Sequence, residues 1–600
     1  MLHKMINLKI SLKIQLILMK LVYNDEYDII DQNMSDSNIG ARKHKNIRNH
    51  IFILNGVINE ALSDKKAIDV VILDYKQCFD GMWLEDCLND LYEAGVQNPN
   101  LALIYEANRK NKVAVKTPSG MSDRVDINKI VMQGETMAPL ECSVSVDTFG
   151  KECQKEEKYL YYYRDTVGVP SLSMVDDEVN ISECGLKSVS LNAYMNAKSN
   201  TKKFQFGTEK CHKLHIGCRK EKCPDIYLDK WKIESTNEYD TGRKILNDVV
   251  DDEHKIEKSN EERYLGDMIT TDGKNFKNVT ARKGKGFGIV DKILSILNDV
   301  YFGPYYFQAA LMLRNSLLLS SILLNSECWY HLTNTDIQSL ETVDNTLHRR
   351  ILESAVSTPI SILHLELGTI PIRYLIKCRR LIYLQYILKQ DKNTLLYKFF
   401  QAQVTDPKKG DWVPSVIQDI KDVNLNMDFD EISLMSENSY THKVKVAIRK
   451  AAFNWLISEK NKPRPSNSPK GINLNYTQLK LQDYFLPNTM SIKQCNLLFS
   501  LRADMVNVRR NFKHSFTDMM CPICHDSTQL DTQPHILLCV KLLENENLMM
   551  KNTISYSDIF SQEVHKQVKV TKLFDYFLQK RRKIEKATSV TQVTQVIRTV

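Results

Sequence analysis

Two adjacent carboxylates stand between two short strand-like segments. Asp176 and Asp177 separate residues 172–174 from residues 179–181, and both flanking segments alternate apolar with small or polar side chains. We therefore predict a β-hairpin with both aspartates at its tip. Adjacent carboxylates repel each other, so a fold that holds them on a tight turn indicates a divalent-cation site. Taken alone, the segment also fits a solvated acidic turn.

A buried strand earlier in the chain also ends in a carboxylate. Residues 70–73 are a continuous, mostly β-branched apolar run, which predicts a central strand covered on both faces. Asp74 follows directly, and the C-terminal end of a buried strand is where open α/β sheets place ligand chemistry. Farther on, Gln133 and Gly134 precede a helical segment at 140–152. Gly134 has no Cβ, so it lets the backbone approach a ligand closely.

The order of these pieces resembles reverse transcriptases, and specifically those of LINE-type non-LTR retrotransposons. Residues 74–80, Asp-Tyr-Lys-Gln-Cys-Phe-Asp, are similar to the family's Asp-x-x-Lys-Ala-Phe-Asp block, with the lysine one place early. The pairs at 133–134 and 139–140 match its Gln-Gly-x-x-x-x-Pro-Leu block. Met-Val-Asp-Asp at 174–177 stands where the family usually has an aromatic residue, Ala, Asp and Asp.

The resemblance covers about residues 35–300 and includes two further segments. Residues 210–217, which begin with Lys210, are similar to the family's lysine-bearing strand after the catalytic hairpin. Residues 264–267, Tyr-Leu-Gly-Asp, resemble its primer-grip hairpin. A second Val-Asp-Asp-Glu at 250–253 lies in a charged connection with no apolar strand leading into it, so we predict that its carboxylates lie at the surface.

The resemblance implies nucleotidyl transfer with two Mg²⁺ ions that clamp the attacking and departing oxygens at phosphorus. Carboxylates suit Mg²⁺ because it is a hard ion that prefers oxygen. The residues implied as catalytic and as Mg²⁺ ligands are Asp74, Asp176 and Asp177. Those implied at the substrates are Phe79 under the incoming sugar, Gln133 and Gly134 beside template and nucleotide, Lys210 at the departing pyrophosphate, and Tyr264, Leu265 and Gly266 at the primer. Lys202 and Lys203 compete with Lys210 for its role.

Four residues near the C-terminus have the types and the spacing of a zinc site. Cys521, Cys524, His535 and Cys539 give Cys-x2-Cys-x10-His-x3-Cys, which can close a tetrahedral shell around Zn²⁺. His525 is an alternative ligand, although its adjacency to Cys524 makes the geometry poor. LINE-type elements carry a C-terminal knuckle of the same ligand order. The resemblance therefore implies a structural Zn²⁺ and binding of RNA or target DNA.

The predicted fold class is a right-hand polymerase: an α/β (α+β) palm with an antiparallel sheet and helices, partial fingers, a helical thumb and a small C-terminal zinc module. A chain of 600 residues is too long for one core. We expect long thumb helices at 281–297 and 305–329, and polar linkers at about 404–440 and 461–470. The predicted divisions are partial fingers at 1–66, palm with finger insertions at 67–270, helical thumb and connection at 271–400, a linker and helical region at 401–515, the CCHC zinc knuckle at 516–545 and a basic tail at 546–600.

Composition indicates a reducing compartment and no membrane span. Fourteen cysteines without a convincing signal peptide argue for free thiols, and three lysines interrupt the apolar N-terminal segment at 5–22. We expect a nuclear or cytoplasmic ribonucleoprotein that is not secreted, since integration needs chromosomal DNA. The formal charge of +8 is uneven: residues 561–600 hold nine Lys and Arg against three Asp and Glu. By composition this tail fits contact with phosphate and a solvated helix end equally well.

The predicted function is an RNA-directed DNA polymerase that extends a DNA 3′ end on an RNA template with deoxynucleoside triphosphates. Its partners would be the template RNA and a primer or target DNA. The chain has no good copy of the family's basic finger strand and no endonuclease domain, so we expect the downstream part of a retroelement's open reading frame. These departures leave open a truncated, inactive retroelement-derived nucleic-acid-binding protein. A metal-dependent nuclease would leave the Gln-Gly loop and the primer-grip hairpin unexplained.

Overall fold

The chain folds into two compact units. The computed structural model describes residues 2–76, 78–108, 112–114, 116–118, 120–126, 137–202, 204–217, 224–228, 254–300, 302–462, 474–511, 518–543 and 555–599. The first unit consists of Met1–Asn278, Glu327–Leu332 and Tyr383–Gln418, and the second of Val279–Ser326, Thr333–Ile382 and Asp419–Val600. Three separate stretches of sequence therefore build the first unit, which contains the three predicted Mg²⁺ ligands.

A five-stranded sheet organises the first unit. The strands of the described residues are β1 (Ile68–Asp74), β2 (Lys112–Val113), β3 (Lys116–Thr117), β4 (Gly120–Met121), β5 (Val125–Asp126), β6 (Tyr161–Tyr163), β7 (Val167–Val169), β8 (Leu172–Met174), β9 (Asp177–Glu183), β10 (His212–Ile216), β11 (Glu257–Ser259), β12 (Glu261–Tyr264) and β13 (Asp267–Thr270). The sheet has the order β11-β10-β1-β9-β8, with only β10 and β11 parallel among these neighbours. β3 and β4 pair with each other as a short antiparallel hairpin.

β1 is buried on both faces, as its continuous apolar run predicts. Val70, Val71 and Leu73 are fully buried, and β1 lies between β9 and β10 at the centre of the sheet. β9 is also buried on both faces, which its alternating sequence does not indicate. Part of its polar face is hydrogen-bonded inside the protein, where Asn180 Nδ2 donates to Asn192 Oδ1 at 3.0 Å, whereas Asn180 Oδ1 and the Ser182 hydroxyl find no hydrogen-bond partner among the described residues. The central sheet therefore has polar groups within its core.

Helices make up most of the remaining structure. Within residues 2–201 they are α1 (Leu2–Asn33), α2 (Ile47–Asp64), α3 (Cys78–Gly81), α4 (Leu84–Glu93), α5 (Asn100–Asn108), α6 (Ala138–Lys155) and α7 (Leu186–Thr201). Those that follow the sheet are Phe276–Asp299, Tyr306–Leu313, Ser320–Ile322, Asn334–Ile351, Ile360–Leu367, Ile372–Leu388, Leu395–Thr405, Trp412–Asp422, Phe429–Leu434, Glu437–Asn461, Ile492–Arg502, Gln533–Leu538, Val540–Leu543 and Val564–Thr599. Among the described helices, none combines the length and the apolar character needed to cross a bilayer.

Two helical predictions need correction. The helix expected at 305–329 continues from Leu313 through a π-helical turn at Arg314–Leu319 and ends at Ile322, and Asn325 in the following turn has φ +58°. The linker expected at 404–440 is largely helical. Several of its apolar residues are fully buried, among them Trp412 and Ile432, whereas Leu434 is exposed, and an Asp428–Glu431 capping box starts one of its helices. Short amphipathic helices between polar turns have the composition of a linker, which explains the error.

An aromatic cluster joins the three stretches of the first unit. Phe52 of α2 lies 5.9 Å from Tyr330, 6.0 Å from Tyr383, 5.8 Å from Phe399 and 5.2 Å from Trp412, measured between ring centroids. Most of these pairs have the edge-to-face geometry that aromatic rings prefer. The three stretches of the first unit therefore share one aromatic core.

Candidate active site

Asp74 and Asp177 are cross-strand neighbours. Asp74 is the last residue of β1 and Asp177 the first of β9, and the antiparallel register pairs them directly. Partners of this kind have Cα atoms about 4.5–5.5 Å apart, so the two carboxylates share one end of the sheet. Asp176 precedes Asp177 in the turn. The structure thus brings the three predicted Mg²⁺ ligands together.

The turn between β8 and β9 has only two residues, Val175 and Asp176. Met174 pairs with Asp177, so of the two aspartates predicted at the tip only Asp176 lies in the turn, while Asp177 is the first residue of β9. Val175 has φ +58°, which is the left-handed region that a β-branched residue rarely enters. A positive φ at the first turn position alone is the pattern of a type II′ hairpin. Strain of this kind persists where the surroundings fix the backbone, typically at functional sites.

The three carboxylates interact unfavourably. The pKa of Asp177 is raised from 3.8 to about 6, first by burial and then by the negative charges of Asp176 and Asp74. A divalent cation bound among these oxygens would relieve both effects, because it supplies the positive charge that the pocket lacks. The electrostatics of the turn therefore fit a cation site rather than a solvated acidic turn.

Lys210 lies beside this cluster. Its Nζ donates to Asp74 Oδ1 at 3.2 Å from a short helical turn just before β10, and this contact raises the pKa of Lys210. Lys202 is held elsewhere, since its Nζ is paired with Asp90 and donates to Thr148 Oγ1 at 2.8 Å. Of the two competing lysines that the structure describes, Lys210 alone faces the aspartates.

The predicted primer-grip residues form a tight hairpin. Tyr264 ends β12 and pairs with Asp267 of β13, while Leu265 and Gly266 take positive φ values of 44° and 85° in the turn. Tyr264 is buried near the aspartates. Its burial and, to a smaller extent, the negative charges of Asp177 and Glu178 raise its pKa.

A chain of hydrogen bonds links the two hairpins. His50 Nε2 lies 2.9 Å from the Ser37 carbonyl, which can only accept, so Nε2 carries the proton. Burial lowers the pKa of His50 to about 3, so Nδ1 is unprotonated and accepts from the Tyr264 hydroxyl at 3.0 Å. Ser37 O in turn accepts from Ser173 N of β8 at 3.1 Å. Sequence reasoning does not identify His50, because nothing in a helical apolar run marks one histidine as a bridge.

Residues 37–39 extend the central sheet beyond β8. Ile39 N donates to Ser173 O at 3.0 Å, and Gly40 follows next to the β8–β9 turn. A Cβ on Gly40 would lie 2.6 Å from Val175 N and would also collide with the Ser143 hydroxyl. By composition, the basic loop that starts at Gly40 fits contact with phosphates and a solvated loop equally well. In the structure its Arg42 is ion-paired with Asp31 at 2.6 Å.

A buried hydrogen bond fixes the residues that follow the two paired aspartates. Tyr75 OH donates to Glu178 Oε2 at 2.7 Å, and both side chains are buried. Burial raises the pKa of Glu178 to about 7. Sequence reasoning misses this pair, because an acidic residue after Asp-Asp has the appearance of a solvated turn.

Several predicted residues cannot be assigned a geometry. Phe79 lies in α3, but its side chain is outside the described part of the chain. Gln133 and Gly134 fall in 127–136, and the second acidic tetrapeptide falls in 229–253; both segments lie outside the described residues, as does Lys203. Their roles stay predictions.

The four predicted zinc ligands converge in the second unit. One ligand atom from each of Cys521, Cys524, His535 and Cys539 lies within 4.8 Å of all the others. Cys521 Sγ and Cys539 Sγ are 4.0 Å apart, and Cys524 Sγ is 3.5 Å from His535 Nε2. Three thiols and an imidazole at these separations fit a closed tetrahedral site.

The basic tail is a helix anchored to this module. Arg581 Nη1 and Nη2 donate to Asp531 Oδ1 and Oδ2 at 2.7 and 2.9 Å, and both side chains are buried. Arg582 and Lys583 are exposed. The predicted basic tail therefore contains one structural arginine beside two side chains that are accessible to phosphate.

Comparisons with known proteins give only a distant similarity. No protein-family model matches the chain, and no curated protein matches it. It is similar to a telomerase from Candida albicans in complex with the TWJ fragment of telomeric RNA, with a TM-score of 0.30 and 10% identity over 72% of this chain and 56% of that one. It is also similar to apo telomerase from Candida tropicalis, with a TM-score of 0.29 and 12% identity over 66% of this chain and 61% of that one. The chain thus spans less than two thirds of these telomerases, which are its structural neighbours at low similarity.

Proposed function

We propose that this chain is an RNA-directed DNA polymerase of the LINE type, with Asp74, Asp176 and Asp177 as ligands of two Mg²⁺ ions. The observation that carries the proposal is the direct cross-strand pairing of Asp74 with Asp177, with Asp176 in the adjoining turn. The proposed substrates are deoxynucleoside triphosphates, an RNA template and a DNA primer or target.

Each part of the site has a chemical role in this proposal. Bound Mg²⁺ would stabilise charge on the attacking and departing oxygens during in-line displacement. Asp74 and Asp176 would hold both ions and Asp177 would support them. Lys210, whose Nζ lies 3.2 Å from Asp74 Oδ1, would donate a proton to the departing pyrophosphate. The rigid hairpin at Tyr264 would position the primer end, because its hydroxyl is tied through His50 to the strand beside the catalytic turn.

The C-terminal module would bind nucleic acid rather than take part in chemistry. We propose that Cys521, Cys524, His535 and Cys539 hold a structural Zn²⁺, which their convergence within 4.8 Å supports. Its exposed neighbours Arg582 and Lys583 would contact phosphate on the RNA template or target DNA.

Primer extension on poly(rA)/oligo(dT) with Mg²⁺ tests the polymerase. Asp176→Ala should lower the rate on the order of 10²-fold or more, because it removes charge stabilisation in the transition state. Asp123→Ala is the matched control, since Asp123 is an exposed carboxylate away from the hairpin. If folded wild type binds the duplex but does not extend it, the chain is the nucleic-acid-binding relic and the polymerase proposal fails.

A further inference from the structure

A second group of metal-binding side chains lies at the other end of the central sheet. One ligand atom from each of Asp69, Cys184 and His215 lies within 4.8 Å of the other two. Asp69 of β1 pairs directly with His215 of β10, and Cys184 follows β9, where its backbone N–H donates to Ala67 O at 3.0 Å. The central three strands of the sheet therefore supply one donor each.

The carboxylate is oriented before any ligand binds. Asp69 is fully buried, and its Oδ2 lies 2.9 Å from Lys213 Nζ, which also donates to Pro224 O at 2.8 Å. Asp69 Oδ1 faces His215 Nδ1 at 3.1 Å. Lys213 thus holds one oxygen and leaves the other directed at the imidazole, as partners of metal-bound carboxylates do.

The geometry distinguishes a metal site from a catalytic relay of the same residue types. In a Cys-His-Asp relay the imidazole stands between the thiol and the carboxylate and separates them by the width of the ring. Here the Cys184 sulfur lies within 4.8 Å of an Asp69 oxygen as well as of a His215 nitrogen. The three donors form a triangle around a common point.

We propose that Asp69, Cys184 and His215 bind a Zn²⁺ ion, with solvent as the fourth ligand. A thiolate, an imidazole and a carboxylate form a mixed donor set that suits this borderline-soft ion. Cys184 and His215 are partly exposed, so an ion and solvent can enter. The site is separate from the proposed Mg²⁺ site, because Asp69 and Asp74 are five positions apart on β1, about 17 Å along an extended strand. The ion joins β1, β10 and the segment between β9 and α7.

Cysteine alkylation in the full-length wild-type chain tests this site. Iodoacetamide labelling followed by peptide mass spectrometry is compared for the Zn²⁺-loaded protein and after treatment with a chelator. Zn²⁺ should slow labelling of Cys184 on the order of tenfold or more, because a metal-bound thiolate is a poor nucleophile. Cys378 is the internal control, since it is also partly exposed and has no partner ligands in the metal-binding groups of the described residues. Equal labelling rates at Cys184 in both states would overturn the proposal.

Substitution of the imidazole separates metal protection from burial. In His215→Gln, Zn²⁺ should no longer protect Cys184, while Cys524 of the zinc module stays protected in the same sample. Zinc analysis should show about one equivalent less than in wild type. If Zn²⁺ protects Cys184 equally in the variant and in wild type, His215 is not a ligand and the three-residue site is wrong. Neither readout depends on polymerase activity, so the outcome is independent of the proposed function.

Discussion

At the scale of single residues, burial and the neighbouring negative charges both raise the pKa of Asp177. Its raised pKa of about 6 means that the folded chain binds this proton more tightly than the unfolded chain. The resulting stabilisation is fully present below the ordinary pKa of 3.8 and is lost as pH rises through about 6. At neutral pH the metal-free hairpin therefore carries an unfavourable charge.

Asp177→Asn should accordingly raise the Tm of the metal-free chain by a few degrees at pH 7.5 and leave it unchanged near pH 4. Thermal unfolding with a chelator present measures the difference, and Asp123→Asn, at an exposed carboxylate, should give no such pH dependence. Adding Mg²⁺ should stabilise wild type and not Asp177→Asn. If Asp177→Asn is no more stable than wild type at pH 7.5, the charge of Asp177 does not destabilise the metal-free hairpin.

The sequence indicates which acids meet but not what supports them. Asp74, Asp176 and Asp177 can be identified because a β-branched run and a strand-turn-strand pattern are local signals. Tyr75 and Glu178 cannot, since their hydrogen bond depends on the register between β1 and β9, which residues 103 positions apart decide together. Lys210 and Lys202 are equivalent in sequence, and only their partners Asp74 and Asp90 separate them.

At the scale of elements, the catalytic turn rests against Gly40. Gly40→Ala should displace the turn, because the added Cβ would lie 2.6 Å from Val175 N, and overpacking of this kind costs about 1–3 kcal/mol. We expect primer extension to fall by more than the stability loss explains. Gly284→Ala is the control: nothing lies within 4 Å of its Cβ position, and in a helix the change should stabilise by up to about 1 kcal/mol. Unchanged extension by Gly40→Ala would show that the turn tolerates displacement.

The tail helix contains basic residues with two different roles. Arg582→Glu with Lys583→Glu should weaken RNA binding roughly tenfold and lower its salt slope by about one for each phosphate that the variant no longer neutralises. Arg581→Ala should instead destabilise the C-terminal module by about 3–5 kcal/mol, because buried Asp531 loses its partner. Fluorescence anisotropy across salt concentrations and thermal unfolding separate the two effects. Equal loss of RNA affinity in both variants without destabilisation would contradict this division.

At the scale of the whole molecule, the first unit depends on residues far along the chain. Trp412→Ala should cost about 3–5 kcal/mol, because it removes a fully buried aromatic ring from the cluster around Phe52. Hydrogen exchange of the β1 amides should quicken in this variant. Trp455→Ala in the second unit is the control and should leave β1 exchange unchanged. If the β1 amides exchange as slowly in Trp412→Ala as in wild type, the core around β1 forms without Tyr383–Gln418.

Long-range assembly also marks the limit of what sequence can predict. The strands and the hairpins are local, and their predicted positions are close to those observed. The division of the first unit into three stretches is not local, because Trp412 stands in a polar region whose composition suggests a linker. Its burial is determined by aromatic partners such as Phe52, 360 positions earlier.

This interrupted connectivity has a consequence during synthesis. Ribosomes add about 5–20 residues per second, and domains generally fold as they emerge. The strands that carry Asp74 and Asp177 leave the ribosome long before Tyr383–Gln418, which completes their unit. For many seconds the aromatic core of the nascent chain is therefore incomplete, because Phe52 lacks its contacts with Phe399 and Trp412. Translation pauses within this interval, or chaperones that hold such surfaces, would decide how much of the protein reaches its native state.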